Sequence, residues 1–351
     1  MIATPRGSAG GGAGTNLTGR LLRALTRQRF FAVLVLFVAL FATFSLTQER
    51  FFTSGNVEAL LTSAAILWVV AIGLTFVMLA GGFDLSVGSM LALCSIALGS
   101  FVNDVGLPPI VAVAAALGFG ALLGAFNGVL VGRLGLSFLV VTLGTLILYR
   151  GFVNLWSETR TEQVLSPFLD ALAFDAFLGI PYPVWLMAAT FAVALYVQRS
   201  TYFGRDVYAV GGNADAARLS GVRVARTIIA VYAISGVLAA VGGVLQTARI
   251  GAASPQVGEA VLFTAAAAVL LGGTSFAGGI GGVGGTAVGV LFLATLENGL
   301  SVAGFASYWQ QILTGAILVA AILLDRIQRG GEQRFLRGGQ GVPAATDARD
   351  P

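Results

Sequence analysis

One stretch of the chain sets an acid among apolar residues in a pattern that can do work: Gly81-Gly82-Phe83-Asp84-Leu85-Ser86-Val87-Gly88. The run from Val57 to Ala80 before it holds a single ionisable residue, Glu58, and the run from Ser86 to Val102 after it holds none. A carboxylate between two membrane-length segments is expensive unless it has a partner or a task. The glycines admit backbone shapes that other residues resist. Asp84 can cap a helix opening at Leu85 to Gly88, with Ser86 as a second polar group. Two readings follow. Either the stretch breaks two membrane helices beside a solute path, or it is a short interfacial turn in which Asp84 only caps a helix.

Other chemistry is absent. The chain has no Lys, which removes the lysine of a Walker A phosphate loop, and no His, which removes His-based triads and His-ligated metal sites. Its one cysteine, Cys94, lies in an apolar run and cannot form an intrachain disulfide. The parts for hydrolysing ATP are therefore missing. If ATP drives this protein, a separate subunit hydrolyses it.

The elements that position these residues are membrane helices. The 351 residues are 57% hydrophobic and 10% charged, against about a quarter charged in soluble domains. Apolar runs recur at about 20 residues, the length that crosses a bilayer as a helix. An all-α polytopic membrane protein is expected, with about ten transmembrane spans near 30–47, 57–80, 86–102, 109–131, 137–156, 184–198, 227–247, 259–275, 284–301 and 308–325. Dense glycine from Gly272 to Gly289 makes the eighth of these the weakest span, with a re-entrant or broken helix as the alternative. Residues 1–29 read as a disordered basic N-terminal tail, 30–328 as the transmembrane domain and 329–351 as a disordered C-terminal tail.

Arginines orient the spans. With both termini cytoplasmic, sixteen of the twenty basic residues fall inside, leaving Arg50, Arg160 and Arg249 outside and Arg150 within a span. The outside loop 157–183 is acidic and is flanked by Trp156 and Trp185, as interfacial anchors would be. The net charge of +4 reflects the inside arginines and gives no reason to expect a nucleic-acid partner. Val77 to Gly82 echoes Val269 to Gly273, and an inverted repeat of spans two to five and seven to ten fits a common transporter plan.

The longest inside loop, 199–226, contains a short helix signature. Asn213 is a good N-cap, Asp215 suits the first turn, the alanines favour helix and Gly221 is a plausible stop. About two turns of helix are not stable alone in water, so this one needs a surface to pack on. It is either a docking helix for a cytoplasmic partner or part of a solvated basic loop.

These residues together resemble the permeases of ribose-type (monosaccharide) ABC importers. Gly81 to Gly88 resembles the family's signature. So do Phe52-Thr53 with Asn56, Asn127-Gly128, Val141 to Thr145 and Arg150-Gly151. The loop motifs Phe203-Gly204-Arg205, Tyr208 to Asn213 and Ala216 to Gly221 are similar as well, as are Leu271 to Ser275, Gly278-Gly279, Asn298-Gly299 and Tyr308 to Gln311. The likeness covers roughly 30–328, with Phe83 where Ile is common and Phe138 where Pro is common. The resemblance implies a multi-pass subunit of the bacterial plasma (inner) membrane, embedded in the lipid bilayer as a permease homodimer or heterodimer. It implies cytoplasmic ATPase subunits that bind ATP and Mg, and a periplasmic or lipid-anchored solute-binding protein. This chain itself is then neither an enzyme nor a holder of cofactor or metal.

On that resemblance the candidate solute-pathway residues are Asp84, Ser86, Asn127, Thr142, Thr145 and Asn298, whose hydroxyl, amide and carboxylate groups can replace water around a sugar, and Phe83, whose ring can gate the path or stack on a sugar. The alternative for the small polar residues is contact between helices, and for Phe83 aromatic packing. The candidate ATPase-coupling residues are Gly204, Arg205, Gly212, Asn213, Ala214, Asp215, Ala216, Ala217, Arg218, Leu219, Ser220 and Gly221. Arg150 is expected to snorkel or pair near a span end, and Glu297 to sit at a solvated interface. An ion-coupled secondary transporter of a small polar solute is the competing class, with Asp84 as its coupling-site candidate. A membrane scaffold or insertion factor without a solute path is a third.

Overall fold

The computed structural model describes the backbone of residues 14–338 and the side chains of residues 31–326. The expected N-terminal tail at 1–13 and the end of the C-terminal tail at 339–351 lie outside the described residues. The long helices are α1 (Gly14–Thr47), α2 (Ser54–Leu79), α3 (Val87–Asn103), α4 (Pro109–Gly132) and α5 (Phe138–Ser157). An irregular segment follows with strand β1 (Glu162–Gln163), helix α6 (Pro167–Phe174) and the two-residue strands β2 (Ala176–Phe177) and β3 (Ile180–Pro181). Helix α7 (Tyr182–Ser200) leads to two short helices, α8 (Tyr202–Gly212) and α9 (Ala214–Leu219). The chain then forms α10 (Val224–Ile250), β4 (Ala252–Ala253), α11 (Val261–Leu271), α12 (Val283–Val302) and α13 (Ser307–Gly338).

Among the described residues, six helices are long and apolar enough to cross a membrane: α2, α4, α5, α10, α12 and the Ser307–Arg326 part of α13. Three apolar helical stretches are shorter, namely Phe31–Thr47, α3 and α11. The fold is an all-α polytopic membrane protein. Both outermost helices run beyond their expected spans, α1 starting at Gly14 and α13 reaching Gly338.

Helix α2 is apolar on every face and is buried along most of its length, so it forms the centre of the bundle. Helix α10 packs on α2, α3 and α4. Its contact with α4 runs through glycines spaced four apart: Gly120, Gly124, Gly128 and Gly132 face Gly236, Tyr232, Ile229 and Ile228 in antiparallel order. Residues four apart share a helix face, and without Cβ atoms the two backbones approach closely. Elsewhere α12 lies antiparallel on α2, where the hydroxyls of Thr75 and Thr286 meet at 2.8 Å. Helix α3 packs on α5, and α11 packs on α13 and α12.

The structure at the eighth expected span differs from a helix over 259–275. Helix α11 has 11 residues, about 16 Å at 1.5 Å per residue, roughly half of a bilayer core. The rest of the passage is non-helical chain. Residues 251–260 descend beside α3: a Cβ on Gly99 would lie 2.8 Å from the Ala253 side chain, and Gly258 meets Gly88 backbone to backbone. Past α11, residues 272–282 form a buried irregular turn, so glycine there serves both close approach and a break.

The segment between α5 and α7 is more ordered than a plain loop. Strand β1 pairs antiparallel with β4, Glu162 opposite Ala253, which ties it to the non-helical stretch. Arg150 does not snorkel outward: its Nη1 donates to the carbonyl of Pro255 at 2.6 Å. An unpaired carbonyl inside a membrane protein is costly, and this guanidinium satisfies one that no helix can.

Candidate functional site

The break between α2 and α3 is built by its backbone. Helix α2 ends with Gly81 at φ +81°, so that Gly81 N donates to Met78 O and Gly82 N to Val77 O. Helix α11 ends in the same way, with Gly273 at φ +88°, Gly273 N donating to Leu270 O and Thr274 N to Val269 O. The sequence echo of Val77 to Gly82 in Val269 to Gly273 is thus a shared C-terminal cap, which a left-handed glycine permits. These two helices run in the same direction, since α12 lies antiparallel to both. The echo therefore does not relate inverted partners.

Helix α3 starts at Val87, with Ser86 in the capping position, two residues later than a cap by Asp84 would place it. Asp84 instead folds onto the entry. Its Oδ1 accepts the backbone N–H of Ser86 at 3.0 Å and the Ser86 hydroxyl at 2.6 Å. Ser235 of α10 donates to Oδ2 at 3.3 Å. Asn127 of α4 donates to Ser86 Oγ at 2.8 Å, and Tyr149 of α5 donates to Asn127 Oδ1 at 3.3 Å. The carbonyl of Phe83 accepts from Thr142 at 3.2 Å and from Tyr232 at 3.4 Å. One polar clasp therefore joins α3, α4, α5 and α10 around the break. Asp84, Ser86, Asn127 and Thr142 are each fully buried in it.

Five of the seven candidate pathway residues come together here: Phe83, Asp84, Ser86, Asn127 and Thr142. The Phe83 ring packs on Phe276 of the 272–282 turn, centroids 5.3 Å apart. Thr145 stands one turn along α5 and donates to Val141 O at 3.0 Å. Asn298 is elsewhere. It forms a reciprocal amide pair with Asn56, at 2.9 and 3.0 Å, that joins the start of α2 to the end of α12. Beside it Glu297 is half-buried and accepts from Thr264 at 3.3 Å, unlike a freely solvated carboxylate.

The second candidate group lies at the end of the bundle that holds the C-termini of α2 and α11. Thr201 caps α8 by accepting the N–H of Gly204 at 3.1 Å, and Gly204 packs too tightly on the α7 carbonyls for any side chain. Arg205 lies over the Tyr202 ring at 4.2 Å. Asn213 caps α9, its Oδ1 accepting the N–H groups of Asp215 and Ala216 at 3.0 Å each. Ala217 is buried against Val210 and Val224, which is the surface so short a helix requires. Arg218 and Asp215 form an exposed ion pair at 3.6 Å, and the side chain of Leu219 is 91% exposed. Gly221 closes the helix at φ +87°, followed by Val222 N donating to Ala217 O. Ser220 donates back to Ala216 O, and Gly212 and Ala214 complete the joint between α8 and α9.

The structure gives partners to residues that the sequence offered only as parts of motifs, and it adds Gln198, Gly281 and Asp325. Gly211 presses on the end of α2, where Leu79 O accepts the N–H of Gly279 at 2.9 Å. Tyr208 donates to Gly281 O at 2.6 Å and accepts from Gln198 at 2.7 Å, while Gln198 Oε1 accepts the first free N–H of α12, that of Val283, at 2.8 Å. These contacts connect the α8–α9 pair to both helix breaks. Ser275 donates to both carboxylate oxygens of buried Asp325, at 3.0 and 3.1 Å. Gln198 and Asp325 carried a signal only as polar groups at the ends of apolar spans.

Residues 56–322 match the family described as "Branched-chain amino acid transport system / permease component". The chain is 39% identical over 307 residues to the ribose import permease protein of Escherichia coli (strain K12), covering 86% of this chain and 94% of that protein. It is 38% identical over 305 residues to the autoinducer 2 import system permease protein of Klebsiella pneumoniae, covering 87% of each. It is also 34% identical over 299 residues to the D-allose transport system permease protein of Escherichia coli (strain K12), covering 85% of this chain and 90% of that one. No solved structure matches. Together with its six long apolar helices, these relations make it a multi-pass protein of the bacterial inner membrane. The chain belongs to this family of transport permeases, and it is a membrane subunit, not an enzyme, of an ABC importer.

Proposed function

We propose that the chain carries a monosaccharide or a similar small polar solute inward between two permease copies. A separate cytoplasmic subunit binds ATP and Mg and hydrolyses the ATP, and an extracytoplasmic binding protein delivers the solute. The family description speaks of branched-chain amino acids, whereas the ribose and allose permeases are relatives matched over 94% and 90% of their own length. The sugar reading follows those relatives.

The observation that carries the coupling is α9. It is capped by Asn213, seated through Ala217 and presents exposed Leu219. A short rigid helix with one apolar tip suits a groove on an ATPase, and one residue links it to α8, which touches both helix breaks. On this reading the α9 end is cytoplasmic, the bundle has ten spans and both termini lie on the α9 side. An inverted repeat is supported by matched packing: α4 lies on α10 as α12 lies on α2, and α3 lies on α5 as α11 lies on α13. The equivalent helices α2 and α10 run antiparallel, with Gly73 facing Ser235 and Gly242 facing Val70.

The test is a pull-down from detergent-solubilised native membranes, comparing wild type with a deletion of Ala214 to Leu219. An ATPase subunit should co-purify with wild type and be lost on deletion while the permease stays folded. Its absence from wild type even after mild crosslinking would overturn the reading in favour of ion-coupled transport, to be tested by uptake against pH and sodium gradients. Uptake of labelled ribose, competed by allose and by leucine, separates the sugar reading from the amino-acid one.

A further inference from the structure

The bundle exposes a carboxylate at a depth where lipid cannot receive it. Gly258 meets Gly88, and Gly88 lies fifteen residues inward from Asn103 at the far end of α3. At about 1.5 Å per residue this is roughly 22 Å into a core of about 30 Å. Glu259 follows Gly258 directly, and its side chain is exposed, as is that of Gln256 one turn earlier. Above them Arg150 holds the carbonyl of Pro255.

Two independent features of this face are incompatible with lipid. An ionisable side chain at such depth faces a bundle interior or a water-filled cavity. Non-helical backbone at such depth persists only where protein buries it or water lines it. Residues 251–260 show both features at once, and Gln256, Glu259 and Ala260 are left uncovered. The clasp around Asp84, in contrast, has no accessible surface.

We propose that Gln256 and Glu259 line the solute path and hydrogen-bond the passing solute, with Arg150 holding their segment in place. The carboxylate accepts from hydroxyl groups, and the amide both donates and accepts, so the pair suits a neutral polyhydroxyl solute. The inference rests on the reading of the chain as an importer of a small polar solute.

Cysteine accessibility tests it. Cys94 is the single cysteine and is buried, so a Cys94→Ala background is silent. Glu259→Cys and Gln256→Cys are compared with Leu122→Cys, whose native side chain is 69% exposed and lies thirteen residues inward from Pro109 on α4, about 20 Å deep. The complete importer in native membranes is treated with a charged, water-soluble methanethiosulfonate. Only a hydrated thiol forms the reactive thiolate, so the two path cysteines should react about tenfold faster or more than the lipid-facing control. Equal rates at all three sites, fast or slow, would overturn the proposal, and so would slow labelling from a dry contact with a second permease copy. As a second measurement, Glu259→Gln should lower uptake about tenfold with the ATPase still co-purifying, as expected for one charge-assisted contact in the path. The labelling contrast does not depend on ATPase binding, so this inference and the ATP-coupled reading fail separately.

Discussion

A single methyl group at Gly124 should push α4 off α10. A Cβ there would stand 2.9 Å from the carbonyl carbon of Tyr232 and 3.0 Å from the nitrogen of Gly236, with the Tyr232 oxygen closer still. Carbon–carbon contacts are comfortable from about 3.5 Å, so the backbones must part by at least about 0.6 Å. The obstacle is main chain on a rigid helix and cannot rotate away. Overpacking of this kind costs about 1–3 kcal/mol, and the upper end applies here. The gain in helix propensity on replacing Gly by Ala, about 1 kcal/mol, does not offset it. Gly118 is the internal control: it lies on the same helix, and nothing stands within 4 Å of its would-be Cβ. Gly118→Ala should therefore be neutral or slightly stabilising. The assay is a thermal melt of each purified variant in detergent, followed by size-exclusion profile, with solute uptake measured in cells. Gly124→Ala should melt several degrees below wild type. It should also lose uptake, because Asn127 rides on the displaced helix and bonds Ser86 at 2.8 Å. Melting of Gly124→Ala together with Gly118→Ala would refute the close-packing argument.

Asp84→Asn keeps the oxygen that accepts from Ser86 and offers an amide to Ser235, so the bundle should assemble while uptake falls; wild-type uptake would remove the charge from the mechanism. Asp84→Ala should also destabilise by about 1–3 kcal/mol in a detergent melt, because it leaves the Ser86 donors without partners. Replacing either Asn56 or Asn298 by Leu should destabilise, whereas the double replacement should recover toward wild type, with a coupling of about 0.6 kcal/mol and at most about 1.7. A double-mutant cycle in which the two losses simply add would contradict the reciprocal pair. Asn213→Ala removes a cap worth about 1 kcal/mol from a helix of six residues, so ATPase co-purification should drop sharply and return with Asn213→Asp. Unchanged co-purification would show that α9 docks without its cap.

Several parts of this architecture were legible in the residues alone. The long helices between Ser54 and Ser200 stand within a few residues of their expected spans, because a run of about 20 apolar residues has few other fates in a bilayer. Asn213, Asp215 and Gly221 spelled a short helix, and α9 forms with that cap and that stop, because both depend on residues within one or two turns. The acid at Asp84 marked a helix break for the same reason.

What Asp84 touches was not legible. Ser235 is 151 residues away along the chain and Asn127 is 41 from Ser86, distances at which no local pattern operates. Asn298 carried the same chemical signal as Asn127, yet it pairs with Asn56 at another level of the bundle. The glycines spaced four apart on α4 were visible as spacing, but which helix they admit depends on where α10 lies. The eighth expected span stayed open between a full span and a broken helix, because hydropathy cannot distinguish a full helix from a half helix fed by non-helical chain.

The sequence by itself determined membrane residence, most of the long helices, the breaks at glycine and the short helix α9, since each follows from transfer free energy or from hydrogen bonds between near neighbours. Only the tertiary structure decided which polar groups are consumed in holding helices together and which stay exposed. Asp84 went to the first set and Glu259 to the second. The physical reason is that a polar group's role inside a membrane is set by its partner, and that partner arrives from a distant helix.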